Sequence, residues 1–161
     1  MANRNLKICC ISSHGGHLHE LMEATKGVYG DMYWVTYKTK HTIALLKSKT
    51  HYFVIDPQTS KVRFFINAIQ SLKHLIMERP RVVVSTGSGI AIPTILLAKW
   101  FLHSKIIYIE SAACVVEPSR TGRFVYKYAD LFLIQWESLR KFYPCTCDYC
   151  TGKKTYKYQG V

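Results

Sequence analysis

Three histidines and two glycines crowd the stretch Ser13-His14-Gly15-Gly16-His17-Leu18-His19. Residues of these types can ligate a metal, move a proton or cradle a phosphate. Ligation fails on geometry: His14 falls in a turn, and His17 and His19, two apart, point to different sides of a helix. No cysteine or carboxylate at ligand spacing joins them, so no metal is expected here. A neutral His17 at a helix start suits a general base or a hydrogen bond to phosphate. A histidine that merely caps its own helix is the bland alternative. Gly15 and Gly16 let the backbone approach an anion closely, and the N–H groups at a helix N-terminus attract one.

A second glycine-bearing turn, Ser85-Thr86-Gly87-Ser88-Gly89, repeats this chemistry, with hydroxyls added. Neither turn matches the dinucleotide G-x-G-x-x-G pattern or the G-x-x-x-x-G-K-[ST] phosphate loop. One such turn is commonly only a tight connection; two at one sheet edge point to a ligand. Glu110 closes the apolar run KIIYIES as either a cap and partner for the loops or an acid–base group. The segment Ser119-Arg120-Thr121-Gly122-Arg123 supplies hydroxyls and guanidinium groups suited to phosphate, or else a solvated basic helix start. Cys145, Cys147 and Cys150 in YPCTCDYC lack a second C-x-x-C to complete a zinc site, which favours a cysteine-rich surface loop.

The elements that must position these groups alternate. LKICCIS, MYWVTY, HYFVID, RVVVST, KIIYIES, DLFLIQ and KTYKYQG read as strands. HLHELMEAT, a long run from Lys61 to Arg79, IAIPTILLAKWFL, SRTGRFVYKYA and WESLRKFY read as helices, with Pro93 in a first turn where its missing N–H is harmless. The reading is an α/β chain: a single Rossmann-like domain over residues 1–161, its mostly parallel sheet covered by helices on both faces. Ligands in such sheets bind at the carboxyl ends of the strands, where both glycine turns fall. On the long helix, Val62, Phe65, Ile66, Ile69, Leu72 and Ile76 form one stripe, expected as core. Phe64, Ala68, Leu75 and Met77 widen it among Lys61, Arg63, Lys73, His74 and Arg79, which also suits a membrane interface. Trp100, Phe101 and Leu102 could extend that surface.

With 161 residues and 48% apolar composition the chain has material for a core. A formal net charge of +12 calls for an anionic partner. The basic residues are scattered and no reading motif accompanies them, so nucleic acid is not the expected one. MANRNLKICC leads straight into a strand pattern without a signal peptide, and six cysteines then suggest a reduced, cytoplasmic setting. No apolar run reaches the roughly 18–20 residues of a spanning helix.

The ordered motifs SSHGGHLHEL, VVSTGSGIAIP, IYIES, SRTGRFVYKYADLFLIQW and YQG resemble the family of asparagine-linked-glycosylation protein fourteen, closest to its bacterial capsular and exopolysaccharide relatives of the PssD/CpsF type. The resemblance implies the N-terminal, acceptor-side half of a GT-B glycosyltransferase related to MurG-like enzymes. It implies a separate partner subunit that binds the nucleotide sugar, peripheral attachment at the cytoplasmic face of an anionic membrane, and transfer from a UDP-sugar onto a lipid-linked diphospho-sugar without cofactor or metal. By that resemblance Ser13, His14, Gly15, Gly16, Thr86, Gly87, Ser88, Gly89, Arg120 and Thr121 line the site of the acceptor diphosphate. His17 and Glu110 are its catalytic candidates.

Overall fold

The strand-rich runs assemble into one sheet because each is apolar enough to be covered twice. In the computed structural model, which describes residues 6–143, the elements are β1 (Lys7–Ser12), α1 (Gly16–Ala24), β2 (Asp31–Thr36), α2 (Lys40–Leu45), β3 (His51–Phe53), α3 (Lys61–Glu78), β4 (Val82–Gly87), α4 (Ala91–Phe101), β5 (Lys105–Ile109), α5 (Arg120–Val125) and β6 (Leu131–Leu133), followed by a 3-10 turn at Glu137–Lys141. The strand order is β3-β2-β1-β4-β5-β6 and every pairing is parallel. The expected "mostly parallel" sheet is thus wholly parallel among the described residues. The expected strand KTYKYQG and the three cysteines of YPCTCDYC lie outside them.

Alternation along β1 sorts its side chains between two cores. Cys9 and Ile11 join Val83, Leu75, Ile95, Ala98 and Val125 under α3, α4 and α5. Ile8 and Cys10 join Leu18, Leu21 and Leu46 on the face carrying α1 and α2. Both thiols are fully buried, and burial pushes the Cys10 thiol up to about 12 and the Cys9 thiol higher still, so neither acts as a thiolate near neutral pH.

The structure adds one helix and reverses the expectation for another. The segment between the second and third strands, unassigned from sequence, forms α2, started by a capping box in which the Thr39 and Thr42 side chains reach each other's backbone N–H. A threonine at the position usually held by Glu or Gln hides that signal. The larger correction concerns α3. Its stripe of Val62, Phe65, Ile66, Ile69, Leu72 and Ile76 is not core: all six face outward, with Phe65 69% and Ile69 71% exposed. The inward face carries Asn67, Ser71, His74 and Leu75. Two of its polar side chains are matched by partners: the Asn67 amide donates to Ile55 O at 2.7 Å, Ser71 donates to Asn67 Oδ1 at 3.0 Å, and Thr94 of α4 donates to Ser71 Oγ at 2.8 Å. These bonds tie the helix to α4 and to the segment after β3, and its hydrophobic stripe is left exposed among the described residues.

His74 sits inside this polar seam, 3.3 Å from the Tyr33 hydroxyl and stacked on Tyr52. Burial lowers its pKa from 6.5 to about 4, against a smaller opposing pull from Glu78. The folded chain holds His74 neutral while the unfolded chain protonates it. Stability present above the ordinary histidine pKa is therefore lost as pH falls toward the folded value. Urea unfolding is expected to lose about 2 kcal/mol between pH ~6.5 and pH ~5 on this account, a window above most carboxylate titration. His74→Gln should flatten that slope, and an unchanged slope would contradict the assignment.

Candidate functional site

The strand order reverses between β1 and β4, which are hydrogen-bonded neighbours, and α1 and α4 leave their carboxyl ends on opposite faces of the sheet. That reversal opens a crevice at the strand ends, the usual ligand position in a doubly wound sheet. The two glycine turns meet there. His17 Nδ1 lies 3.0 Å from Thr86 O, and Thr86 Oγ1 donates to His17 O at 2.7 Å. Because a carbonyl only accepts, Nδ1 carries the proton, and the neutral ring keeps a lone pair on Nε2. The ring is about one-third exposed. The capping alternative for His17 does not hold: no side chain caps α1, whose N-cap is Gly15.

The two turns are not equivalent. In α1 the N–H groups of Gly16, His17 and Leu18 find no acceptor among the described residues, and the first bond is His19 N–H to Gly15 O. A Cβ built on Gly15, Gly16 or Gly89 meets nothing within 4 Å, so the space over these residues is open. The α4 end is largely spent: Ala91 and Ile92 donate to Ser88 and Gly89 carbonyls, and Pro93 has no N–H. The expectation that both helix ends offer free donors is corrected for the second. Its turn serves instead as a wall. Gly87, at φ 115°, lies so near the Tyr108 hydroxyl that a Cβ would stand 2.8 Å from it and 3.6 Å from His17 Cε1. Ser12, opposite Gly87 in the β1–β4 register, has a buried hydroxyl with no partner among the described residues.

Glu110 is fully buried. Its carboxylate accepts from Ser111 N–H at 3.2 Å, from Ser119 N–H at 3.3 Å and from the Tyr143 hydroxyl. Of the two roles left open for it, the structure supports loop partner: the carboxylate is enclosed by donors and ties the end of β5 to the start of α5. Gly122 completes the enclosure, since a Cβ there would lie 2.0 Å from Glu110 Oε2. Thr121 is buried in the first turn of α5, while Arg120 beside it is exposed. Tyr108, whose hydroxyl is 3.5 Å from Ser119 Oγ, links this corner to Gly87. His14 is exposed and bonded to the Tyr37 hydroxyl, Ser13 is buried, and Ser88 is partly exposed. All of the expected site residues thus border one sheet edge.

Glu20 escaped the sequence reading. One turn after His17 on α1, its Oε2 lies 3.9 Å from His17 Nδ1, while Oε1 accepts from Ala112 N–H at 2.7 Å and from the Gln135 amide. Gln135 also donates to Glu110 O at 2.9 Å. Glu20 therefore fastens α1 to the loops after β5 and β6. The His-x-x-Glu spacing was its only signal, and its long-range partners had none.

This architecture, one Rossmann-like sheet with its crevice at the strand reversal, is a half of the GT-B fold. The chain superimposes on Acinetobacter baumannii MurG with a TM-score of 0.65 at 14% identity, over 82% of this chain and 42% of that one. It matches UDP-N-acetylglucosamine 2-epimerase from Rickettsia bellii with a TM-score of 0.64 at 12% identity, over 86% and 41%. Residues 54–151 match the family model described as oligosaccharide biosynthesis protein Alg14 like, and the chain belongs to that family. The UDP-N-acetylglucosamine transferase subunit ALG14 of Candida albicans is 36% identical over 96 residues, 56% of this chain and 42% of the relative. Its Debaryomyces hansenii namesake is 33% identical over 91 residues, 53% and 39%. The matched stretches span about two-fifths of those relatives.

Gly122→Ala is expected to cost about 1–3 kcal/mol or more, because a methyl group there displaces a buried carboxylate. Thermal unfolding checks it: a variant as stable as the parent would refute the packing of Glu110 described above.

Proposed function

We propose that this chain is the acceptor-binding subunit of a two-component glycosyltransferase. It acts with a separate subunit that binds the nucleotide sugar, and the reaction moves a sugar from a UDP-sugar to a lipid-linked diphospho-sugar. The setting is capsular, exopolysaccharide or related glycan assembly, at the cytoplasmic face of an anionic membrane to which the chain attaches peripherally. The observation that carries this reading is the unshared N–H triad of Gly16, His17 and Leu18 at the strand reversal, with open space over Gly15 and Gly16, beside an imidazole whose Nδ1 is held by Thr86 O. Three convergent N–H groups at a helix N-terminus suit a pyrophosphate. The names of the relatives, transferase subunits for UDP-N-acetylglucosamine, support a UDP-sugar donor and a shared active site.

In this reading His17 Nε2 takes the proton of the acceptor hydroxyl as that oxygen bonds to the anomeric carbon, and the bond from that carbon to UDP breaks. The Thr86 carbonyl holds the ring by Nδ1, and the Glu20 carboxylate nearby favours the imidazolium that forms. Ser13, His14, Gly15, Gly16, Ser88, Gly89, Arg120 and Thr121 border the acceptor, with Thr86 and Gly87 forming its second wall. No metal or cofactor is required by these steps.

A second reading has one observation in its favour. Glu110, one of two catalytic candidates, is sealed inside the protein, as it would be in a scaffold that only recruits the catalytic subunit. Reconstitution with the candidate partner, UDP-sugar and lipid acceptor separates the two. His17→Ala should lower kcat by about 10²–10⁴ with partner binding intact. Full activity in that variant would establish the scaffold, and turnover by the unaccompanied chain would refute the two-subunit reading. Glu20→Gln should reduce kcat less than His17→Ala, with partner binding and KM little changed. Glu110→Ala should lose thermal stability before any specific catalytic step, since it strands three buried donors.

A further inference from the structure

We propose that His19 of α1 and His41 of α2 form a two-imidazole site for a borderline divalent cation such as Zn²⁺, which fastens the two helices to each other. This site needs neither the substrate nor the partner subunit of the transferase reading. A metal held by His14, His17 and His19 fails because those side chains do not share a face. The fold supplies a ring that the sequence could not point to, from the next helix. The ring centroids of His19 and His41 lie 5.6 Å apart, with their planes inclined at 46°.

That separation fits a shared cation. Two imidazoles bound to one tetrahedral zinc through bonds of about 2.0–2.1 Å hold their ring centroids about 5 Å apart. Small rotations of two exposed side chains close the difference. Both rings are also uncommitted. Other histidines of this chain engage a ring nitrogen with a protein partner: His17 with Thr86 O, His51 with Lys49 O, His74 with the Tyr33 hydroxyl and His14 with the Tyr37 hydroxyl. His19 and His41 have no polar partner among the described residues, so the nitrogens of each ring are open to a ligand.

Both rings stand on backbone that is already ordered. The His19 N–H donates to Gly15 O at 3.1 Å in the first turn of α1. His41 lies in the first turn of α2, fixed by the capping box of Thr39 and Thr42. Leu18 and Leu21 of α1 share a core with Leu46, just past α2, which keeps the two helices in place beneath the pair. A site on such elements is preorganised and costs little further ordering.

Ligand type selects the cation. Imidazole nitrogen suits Zn²⁺, Ni²⁺ and Cu²⁺, whereas Mg²⁺ and Ca²⁺ take oxygen. Among the described residues no group of three or more His, Cys, Asp or Glu side chains gathers for a metal. Water therefore completes the coordination, and the affinity falls below that of a closed four-ligand site. Lys38 and Lys40, close to His41 in the chain, are exposed, so they oppose the cation only through solvent-screened charge. A cation held by the folded pair and not by the unfolded chain raises stability. Because the N–H triad of Gly16, His17 and Leu18 directly precedes His19, the same clip steadies the donor end of the crevice.

Titration of the full chain with Zn²⁺, followed by histidine-ring NMR, tests this. The background carries Cys145→Ser, Cys147→Ser and Cys150→Ser, so that those thiols do not compete. The ring signals of His19 and His41 should shift together and saturate, and the melting temperature should rise; Mg²⁺ should do neither. His19→Ala and His41→Ala change exposed positions, should fold as the parent does by circular dichroism, and should each lose at least about tenfold in Zn²⁺ affinity. His103→Ala, at another exposed histidine, should bind as the parent does. Saturation at one ring without the other, undiminished affinity in either variant, or an equal response to Mg²⁺ would overturn the proposal. Should a variant fail to fold, the ring shifts of the parent decide the matter alone. Failure of the transferase assay would leave the metal result standing, and the reverse also holds.

Discussion

The reciprocal pair of hydrogen bonds between His17 and Thr86 holds the two halves of the crevice together. One joins the imidazole to a carbonyl, the other a hydroxyl to a carbonyl, and together they lace the turn after β1 to the turn after β4. Everything chemical at this edge depends on that lacing. It sets the tautomer of His17 and keeps the α1 N-terminus beside the Gly87 turn. Such a bond pair forms only because β1 and β4 are adjacent in a parallel sheet, so the topology itself is the first requirement of the site.

Behind the crevice, two carboxylates bind the loops that frame it. Glu110 gathers Ser111, Ser119 and Tyr143, and Glu20 gathers Ala112 and Gln135. Both carboxylates work as fasteners between segments distant in sequence: buried Glu110 accepts through both oxygens, as a buried charge requires, and Glu20 through Oε1. The division of labour is plain: the exposed imidazole and the open N–H groups face the crevice, while the acids stay behind it.

How far this was legible before the structure follows from the range of the forces involved. The parallel, doubly covered sheet and the placing of both glycine turns at its carboxyl edge could be inferred, because alternating apolar runs and Pro/Gly punctuation are local signals. Glu20 could not be singled out, because its partners Ala112 and Gln135 are far along the chain and carry no pattern. Glu110 was recognised but its role stayed open, since burial distinguishes a fastener from an acid–base group. The long helix misled for a physical reason. Periodicity shows that one face is apolar but not which way it turns, and the hydrogen bonds from Asn67 to Ile55 O and from Thr94 to Ser71 that hold the polar face inward are tertiary. The inverted helix is thus the place where local pattern and fold disagree, and it is also the surface with most to offer a partner.

The account stands or falls on what occupies the head of α1. Amide and imidazole NMR during titration with a soluble short-chain prenyl pyrophosphate addresses it directly. The predicted result is saturable shifts concentrated at Gly16, His17 and Leu18, with the His17 ring retaining its Nδ1–H form. Shifts confined to other parts of the surface, or none at these three amides while the protein remains folded, would contradict it.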